Sequence, residues 1–301
     1  MAERALITGA TGFVGGRLAR RLAAEGWEVH GVVRRPPGDP VVRALAGICD
    51  AHYHDGSTES LARIVALSRP TVVFHLAACF VAEHHASDVE PLVRDNIVFG
   101  AQLLEGMSAA GAKRIVNAGS AWQHFKNAEY SPVSLYAATK KAFADLLQFY
   151  VDASRFQAIT LELSDTYGPG DTRRKLIPIM AEAEQNKREL SMVSGDLPLN
   201  FVHVDDAVNA FIVAARRLLA NSSATHDIFA VRSNEPVAVK DLFSIWETAR
   251  GTPLAARWGA RPYRAREVLE HWTQGTVLPG WESKISLAQG LATLSVPSEN
   301  Q

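Results

Sequence analysis

Three glycines near the start of the chain, Gly9, Gly12 and Gly15, constrain the fold more than any other feature. They separate an apolar run, residues 5–7, from residues 17–22, whose apolar side chains have helical spacing. In a dinucleotide phosphate loop the first glycine permits the turn, the second lets the backbone approach the pyrophosphate, and the third lets the helix pack closely. The helix N-terminus then offers free N–H groups to the phosphates. An ordinary glycine-rich turn is the alternative, but this context predicts dinucleotide binding by Gly9, Thr11, Gly12, Phe13, Val14 and Gly15.

The first half of the chain alternates between strand and helix patterns. Apolar runs predict strands at residues 5–8, 29–33, 51–54, 72–76, 114–117 and 158–163, and helical spacing predicts helices at 15–25, 60–67, 89–110 and 136–153. Repeated βαβ units form a parallel sheet with helices on both faces. We therefore predict an α/β fold, a doubly wound parallel sheet of the Rossmann type with a smaller C-terminal α+β substrate domain. The predicted dinucleotide domain is 1–166, with 201–232 returning to it, and the substrate domain is 167–200 and 233–301.

Bulk composition excludes several classes of protein. The 301 residues carry a formal net charge of −1 and 47% hydrophobic residues, which is typical of a globular protein and gives no reason to expect a nucleic-acid or membrane partner. The two cysteines, Cys49 and Cys79, form no CxxC pair, and the first residues lack the apolar stretch of a signal peptide. These features predict a cytoplasmic protein.

Two arginines, Arg34 and Arg35, follow the second predicted strand. An acidic residue there would bind the ribose 2′-OH of NAD, whereas arginine suits the 2′-phosphate of NADP. We therefore predict NADP (as NADPH) in preference to NAD, although two solvated surface arginines are the alternative. Asp55, after the third strand, is predicted to contact the adenine, but it could equally cap the helix near Ser57.

A Tyr-x-x-x-Lys pair, Tyr136 and Lys140, begins the helix after the fifth strand. The spacing places both side chains on one helical face. A free tyrosine has a pKa of about 10, and a nearby lysine cation favours the phenolate, so we expect Lys140 to lower the pKa of Tyr136. Lys140 could also hold the nicotinamide ribose. Ser120, just past the fifth strand, can donate a hydrogen bond to a substrate carbonyl, although a capping serine is the alternative.

Asn96 lies in the middle of a predicted helix, where a polar side chain is unfavourable unless it has a specific partner. We therefore expect Asn96 to have a specific partner, with a solvated helix face as the alternative. The histidines at His52, His54, His84 and His85 do not have the spacing of a helical ligand pair. No metal site is predicted.

Taken together, these stretches resemble the extended short-chain dehydrogenase/reductase family (the NAD-dependent epimerase/dehydratase family) in its nucleotide-sugar branch. The resemblance covers nearly the whole chain, at residues 9–15, 73–78, 96, 120, 136, 140, 165–171, 201–206 and 280–291. It implies a catalytic group of Ser120, Tyr136 and Lys140 supported by Asn96. It also implies a cofactor contact at Leu76, Ala77 and Ala78, and a nucleotide-sugar pocket lined by Asp165, Lys175 and Arg264.

Departures from the family pattern narrow the expected activity. Ala121 and Trp122 replace the acid pair of the sugar-nucleotide dehydratases and cannot move a proton. Leu199 replaces an arginine that usually binds diphosphate, which shifts that role to Arg264. The stretch 165–176 is most similar to 4-ketoreductases of the CDP-3,6-dideoxyhexose type.

The leading hypothesis is therefore NADPH-dependent reduction of a 4-keto-(deoxy)sugar nucleotide, with Tyr136 as proton donor. A 4-epimerase with retained NAD, a small-molecule carbonyl reductase and a non-catalytic NADP-binding regulator are the alternatives. A homodimer is also predicted, because the two long helices carry apolar residues beyond one sheet-facing stripe. These residues are Leu103, Leu104, Met107, Phe143, Leu146, Leu147, Phe149 and Tyr150.

Overall fold

A seven-stranded parallel sheet forms the centre of the molecule and confirms the predicted α/β class. The computed structural model describes residues 2–294. Across the sheet the strands are β11 (His226–Val231), β6 (Gln157–Leu163), β5 (Arg114–Ser120), β4 (Val72–His75), β1 (Arg4–Thr8), β2 (Glu28–Val33) and β3 (Asp50–Tyr53). The chain order reverses between β1 and β4, the kind of switch point at which doubly wound sheets bind ligands.

Helices cover both faces of this sheet, each over its own apolar core. Helices α1 (Phe13–Ala24), α2 (Pro40–Arg43) and α8 (Val204–Ala220) contribute to one core. Helices α3 (Thr58–Ser68), α5 (Phe99–Ala110) and α6 (Leu135–Ser154) contribute to the other. Strand β4 is buried along its whole length, as its three apolar residues at 72–74 require, and His75 at its end is buried with them.

The predicted helix over 89–110 is not continuous. It consists of α4 (Val89–Val93), a π-helical turn at Arg94–Val98, and α5. Asn96 lies within the π-helical turn and is 1% exposed. A π-helical turn inside an α-helix often accompanies a functional site.

A smaller second core is built from short elements of the C-terminal half, around the buried side chains of Tyr167, Met180 and Trp246. Its elements are β7 (Asp165–Tyr167), α7 (Leu176–Gln185), β8 (Leu190–Ser191), β9 (Pro198–Leu199), β10 (Phe201–His203), β12 (Val237–Ala238), α9 (Val239–Arg250), β13 (Ala256–Arg257) and α10 (Leu287–Ala292). Leu199 lies in β9, opposite Val237 of β12. On this packing we keep the predicted domain division as a proposal, while residues 295–301 lie outside the described part of the chain.

The C-terminal segment also returns to the first core. Leu278 and Trp281 are buried there, although the predicted boundaries assign them to the substrate domain. Asp206, in the first turn of α8, accepts hydrogen bonds from the backbone N–H groups of Lys284 and Ile285 at 3.0 and 2.9 Å. Asp205 of the same turn pairs with Arg17 at 2.7 Å, so both acidic residues hold tertiary contacts, and His203 occupies the N-cap position.

Most of the apolar residues behind the dimer prediction are buried within their own chain. Leu103, Leu104, Met107, Phe143 and Leu147 have no exposed surface. Phe149 is 61% exposed. Of the helices within residues 2–294, none has both the length and the apolar character needed to cross a bilayer.

Candidate active site

The glycine loop lies against the segment that follows β4. Gly9 has a φ of +76°, and a Cβ atom there would come within 2.8 Å of the backbone nitrogen of Ala77. A Cβ atom on Gly15 would overlap the carbonyl oxygen of Gly9, so the close approach of α1 requires glycine. Thr8 accepts hydrogen bonds from the N–H groups of Leu76 and Ala77, both at 3.2 Å, which joins the two loops.

A cavity of about 210 Å³ joins this loop to the carboxyl ends of β5 and β6. Ser120, Tyr136 and Lys140 all line it, together with Asp165 and Lys175. The cavity lining also includes several of the predicted cofactor contacts, namely Gly9, Gly12, Phe13, Val14, Gly15, Leu76 and Ala78. The glycine cradle at the N-terminus of α1 and the cavity beside it fit a dinucleotide.

The remaining predicted cofactor contacts, Thr11, Arg34, Arg35, Asp55 and Ala77, do not line this cavity. Arg34 pairs with Asp95 at 2.7 Å and Arg35 with Asp39 at 3.0 Å, and both arginine side chains remain about 60% exposed. Asp55 accepts hydrogen bonds from the N–H and hydroxyl groups of Ser57 at 2.8 and 2.6 Å. Its carboxylate therefore stabilises the turn before α3, the alternative that the sequence left open.

Burial shifts the pKa values of Tyr136 and Lys140 in opposite directions. It raises the pKa of Tyr136 to about 12, against a lowering effect of Arg173, and it lowers the pKa of Lys140 to about 8. The expected lowering of the Tyr136 pKa by Lys140 was therefore wrong, because desolvation of the phenolate dominates. A phenol that stays protonated at neutral pH is suited to donate a proton.

Asn96 has the specific partners that its position requires. Its side chain accepts a hydrogen bond from the Cys79 N–H group at 2.7 Å and donates to the Cys79 carbonyl at 2.9 Å. It also donates to the Thr139 hydroxyl at 2.9 Å, which in turn donates to the Tyr136 carbonyl at 2.7 Å. Asn96 thus ties the loop after β4 to the helix turn that carries Tyr136.

The rings of Phe80 and Trp122 form part of the cavity wall, and the sequence did not predict either of them there. Phe80 packs edge-on against Tyr136, with ring centroids 4.9 Å apart, and lies 5.5 Å from Trp122. Arg173, also in the lining, lies 4.5 Å over the Phe13 ring of the glycine loop. Position at the carboxyl edge of the sheet was the signal that could have found them. The remaining unpredicted lining residues are Ala118, Gly119, Leu163, Ser164 and Thr166.

Charged side chains surround the aromatic rings. Lys175 pairs with Asp165 at 2.8 Å and lies 5.0 Å over Phe80. Arg264 forms an ion pair with Glu267 and lies 5.2 Å over Trp122. Arg264 lines a neighbouring cavity of about 750 Å³ rather than the one that holds Tyr136. Among residues 2–294 no group of three histidine, cysteine or acidic residues is arranged to bind a metal ion.

Comparison with known proteins establishes the family. A model of the NAD dependent epimerase/dehydratase family matches residues 5–227. The chain belongs to this family. Over 96% of each chain it is 24% identical to a CDP-abequose synthase from Salmonella muenchen, and 26% identical to a UDP-glucose 4-epimerase from Mycolicibacterium smegmatis.

Solved structures of nucleotide-sugar epimerases share the fold. The UDP-glucose 4-epimerase of Thermus thermophilus, in complex with NAD, superimposes with a TM-score of 0.82 at 22% identity, over 96% of this chain and 97% of that one. The predicted family and its nucleotide-sugar branch are therefore confirmed, and the protein is an enzyme of the NAD(P)-dependent oxidoreductase type.

Proposed function

We propose that this enzyme reduces the 4-keto group of a deoxysugar nucleotide with NADPH. The observation that carries the proposal is that Ser120, Tyr136 and Lys140 line one cavity with the glycine loop. A carbonyl bound there lies within the same small space as a hydroxyl, a phenol and a buried cation. The similarity to CDP-abequose synthases supports a deoxysugar nucleotide as the substrate class.

The chemistry follows from the protonation states of the cavity. NADPH, held by the glycine loop and Lys140, would supply the hydride that the carbonyl carbon receives. Tyr136 donates its proton to the carbonyl oxygen, so the product is the sugar alcohol. Ser120 holds this oxygen by a hydrogen bond as negative charge develops on it. Lys140 holds the cofactor ribose and contributes a positive charge beside the phenol.

The aromatic wall supports a deoxygenated sugar. Phe80, packed edge-on against Tyr136, and Trp122 beside it provide apolar surface among the charged side chains of Lys175 and Arg264. A methyl or methylene group of a deoxysugar can pack there without losing a hydrogen bond to water. Ala121 and Trp122 supply no acid–base pair for dehydration.

The preference for NADPH rests on Arg34 and Arg35. Their carboxylate partners, Asp95 and Asp39, hold the two guanidinium groups near the carboxyl end of β2. Because both arginines are largely exposed, a 2′-phosphate can reach them and compete for their N–H groups.

A cofactor and substrate panel tests the proposal. Purified enzyme is incubated with NADPH or NADH and a set of 4-keto-6-deoxy nucleotide sugars that differ in base, and nicotinamide oxidation is followed at its absorbance band. We expect one member to be reduced to a 4-hydroxy sugar, with NADPH preferred. In parallel, UDP-glucose is incubated without added cofactor. Formation of the 4-epimer in that sample, together with NAD released on denaturation, would instead establish the epimerase.

A further inference from the structure

A short ribbon connects Ser120 to Tyr136. After Ser120 the chain turns at Ala121–Gln123 and pairs with the segment that leads into α6. Ser131 N–H donates to the Gln123 carbonyl at 2.7 Å, and Val133 N–H donates to the Trp122 carbonyl at 2.8 Å. This ribbon, residues 122–133, therefore ties the end of β5, which carries Ser120, to the start of α6, which carries Tyr136.

The buried carboxylate of Glu162, on β6, holds the ribbon by hydrogen bonds. Glu162 accepts hydrogen bonds from Gln123 Nε2 and from His124 Nε2, each at 2.9 Å. Gln123 Nε2 also donates to the backbone carbonyl of Ser120 at 3.1 Å. The side chains of Glu162 and His124 are each only 8% exposed. This contact therefore reaches Ser120 through a single side chain.

The charge state of His124 follows from its partners. Its Nδ1 faces the carbonyl oxygen of Ala128 at 3.1 Å, and its Nε2 faces Glu162. Both partners are acceptors, so only the imidazolium, which has two N–H donors, satisfies both. Burial lowers the pKa of His124, but the hydrogen bond and charge of Glu162, together with the backbone of Ala128 and Glu129, leave that pKa raised.

The other face of His124 contacts the C-terminal segment. Its ring stacks on Trp272, with centroids 3.9 Å apart and planes 7° from parallel. Next to this stack, Asn127 and Thr273 exchange two hydrogen bonds, at 3.0 and 2.9 Å. The ribbon is thus held between β6 and the segment around Trp272.

We propose that Glu162 and His124 are positioning residues. They hold Ser120 and Tyr136 in the relative placement that proton donation requires, and they couple this placement to the segment around Trp272. The kinetic part of the inference rests on the proposed function. A buried ion pair is seldom more stabilising than apolar side chains of the same shape, so stability alone does not account for charges placed here. The connection of Glu162 to Ser120 through Gln123 gives these charges a second role, which is to position Ser120.

A matched ion pair elsewhere in the chain provides the control. Glu184 and Arg250 pair at 2.6 Å in the second core with side chains 8% and 7% exposed, away from the cavity lining. Glu162→Gln and Glu184→Gln therefore remove the same charge from equally buried pairs. We expect both variants to lower the melting temperature.

Kinetics separate positioning from stability. Misplacing a reacting group by about 1 Å can cost roughly 10²-fold, so we expect Glu162→Gln to lower kcat by about 10- to 100-fold with little change in the KM for NADPH. Glu184→Gln should leave kcat unchanged. Trp272→Phe should keep the stack and most of the activity, whereas Trp272→Ala should lower kcat. Equal kcat values for the two glutamine variants would overturn the positioning role.

Carbon-13 chemical shifts test the same inference without turnover. In the wild type at neutral pH we expect the His124 ring to show imidazolium shifts, and in Glu162→Gln its titration should move to lower pH. The Cβ signals of Ser120 and Tyr136 should move in Glu162→Gln and stay in place in Glu184→Gln. Unchanged Ser120 and Tyr136 signals in both variants would refute the positioning role, whereas a wild type that reduces no keto-sugar while these shifts behave as expected would refute only the proposed function.

Discussion

Tyr136 and Lys140 show how burial assigns opposite protonation behaviour to two neighbouring side chains. Lys140 is only 2% exposed. With a pKa of about 8, its ammonium group is charged at neutral pH and loses its proton in mild alkali. Tyr136, with a pKa of about 12, keeps its proton over the same range. The pair therefore presents an acid and a cation at neutral pH, the combination that ketone reduction requires.

Replacing Tyr136 by phenylalanine should remove the proton donor and preserve the ring. General acid catalysis contributes about 10²–10⁴-fold, so we expect Tyr136→Phe to lower kcat within that range while the NADPH dissociation constant stays within about twofold. Tyr53→Phe, at an exposed tyrosine of β3 that lines neither cavity, is the control and should keep full activity. Near-full activity in Tyr136→Phe would remove Tyr136 from the mechanism.

The pH dependence of cofactor binding should report Lys140. The lowered pKa means that Lys140 is charged below pH 8 and becomes neutral above it. If only the charged form holds the ribose, the NADPH dissociation constant should rise roughly tenfold between pH 7 and pH 9. Calorimetric titrations check this, and Lys140→Arg, which keeps its charge, should show a flat profile. A flat wild-type profile would contradict the role of Lys140.

Arg34 should carry much of the preference for NADPH. A charge-assisted hydrogen bond contributes about 1.5–3 kcal/mol, so Arg34→Ala should reduce the ratio of NADPH to NADH affinity by about tenfold or more. Asp95→Asn removes the competing carboxylate and should increase that ratio. Fluorescence titration of both cofactors measures it. Equal affinities of the wild type for NADPH and NADH would exclude the predicted preference.

Among the secondary-structure elements, the π-helical turn at Arg94–Val98 links the loop after β4 to α6. Asn96→Ala would remove three hydrogen bonds, two to the half-buried backbone of Cys79 and one to the buried Thr139 hydroxyl, so we expect a loss of about 1–3 kcal/mol in the free energy of unfolding. Urea denaturation measures this loss. Asn234→Ala, at an exposed position, should change it by less than about 0.5 kcal/mol. A similar small change in Asn96→Ala would show that these hydrogen bonds are dispensable.

At the scale of the whole molecule, the homodimer remains a prediction. It now rests on fewer residues, those apolar side chains that stay exposed. Phe149 of α6 is 61% exposed, and Val93 and Val98 beside α5 are 38% and 45% exposed. We expect the wild type to be a dimer by light scattering at micromolar concentration, and Phe149→Asp to dissociate it. Leu67→Asp, at a residue of α3 that is 73% exposed, should remain dimeric. A monomeric wild type would contradict the prediction.

The fold class and the centre of the candidate site could both be predicted from sequence patterns. The alternation of strands and helices led to the parallel sheet, because each element buries its apolar side chains with its own period. The glycines, Ser120, Tyr136 and Lys140 follow local rules of turn geometry and helical spacing, so their meeting at one sheet edge could be predicted.

The surroundings of these groups came from long-range packing instead. Desolvation raised the pKa of Tyr136, and the ring neighbours Phe80 and Trp122 came together from different loops. The contact of Glu162 with His124 joins residues that are 38 positions apart. Burial and long-range contacts depend on how distant segments pack together, and a local sequence pattern carries no information about that packing.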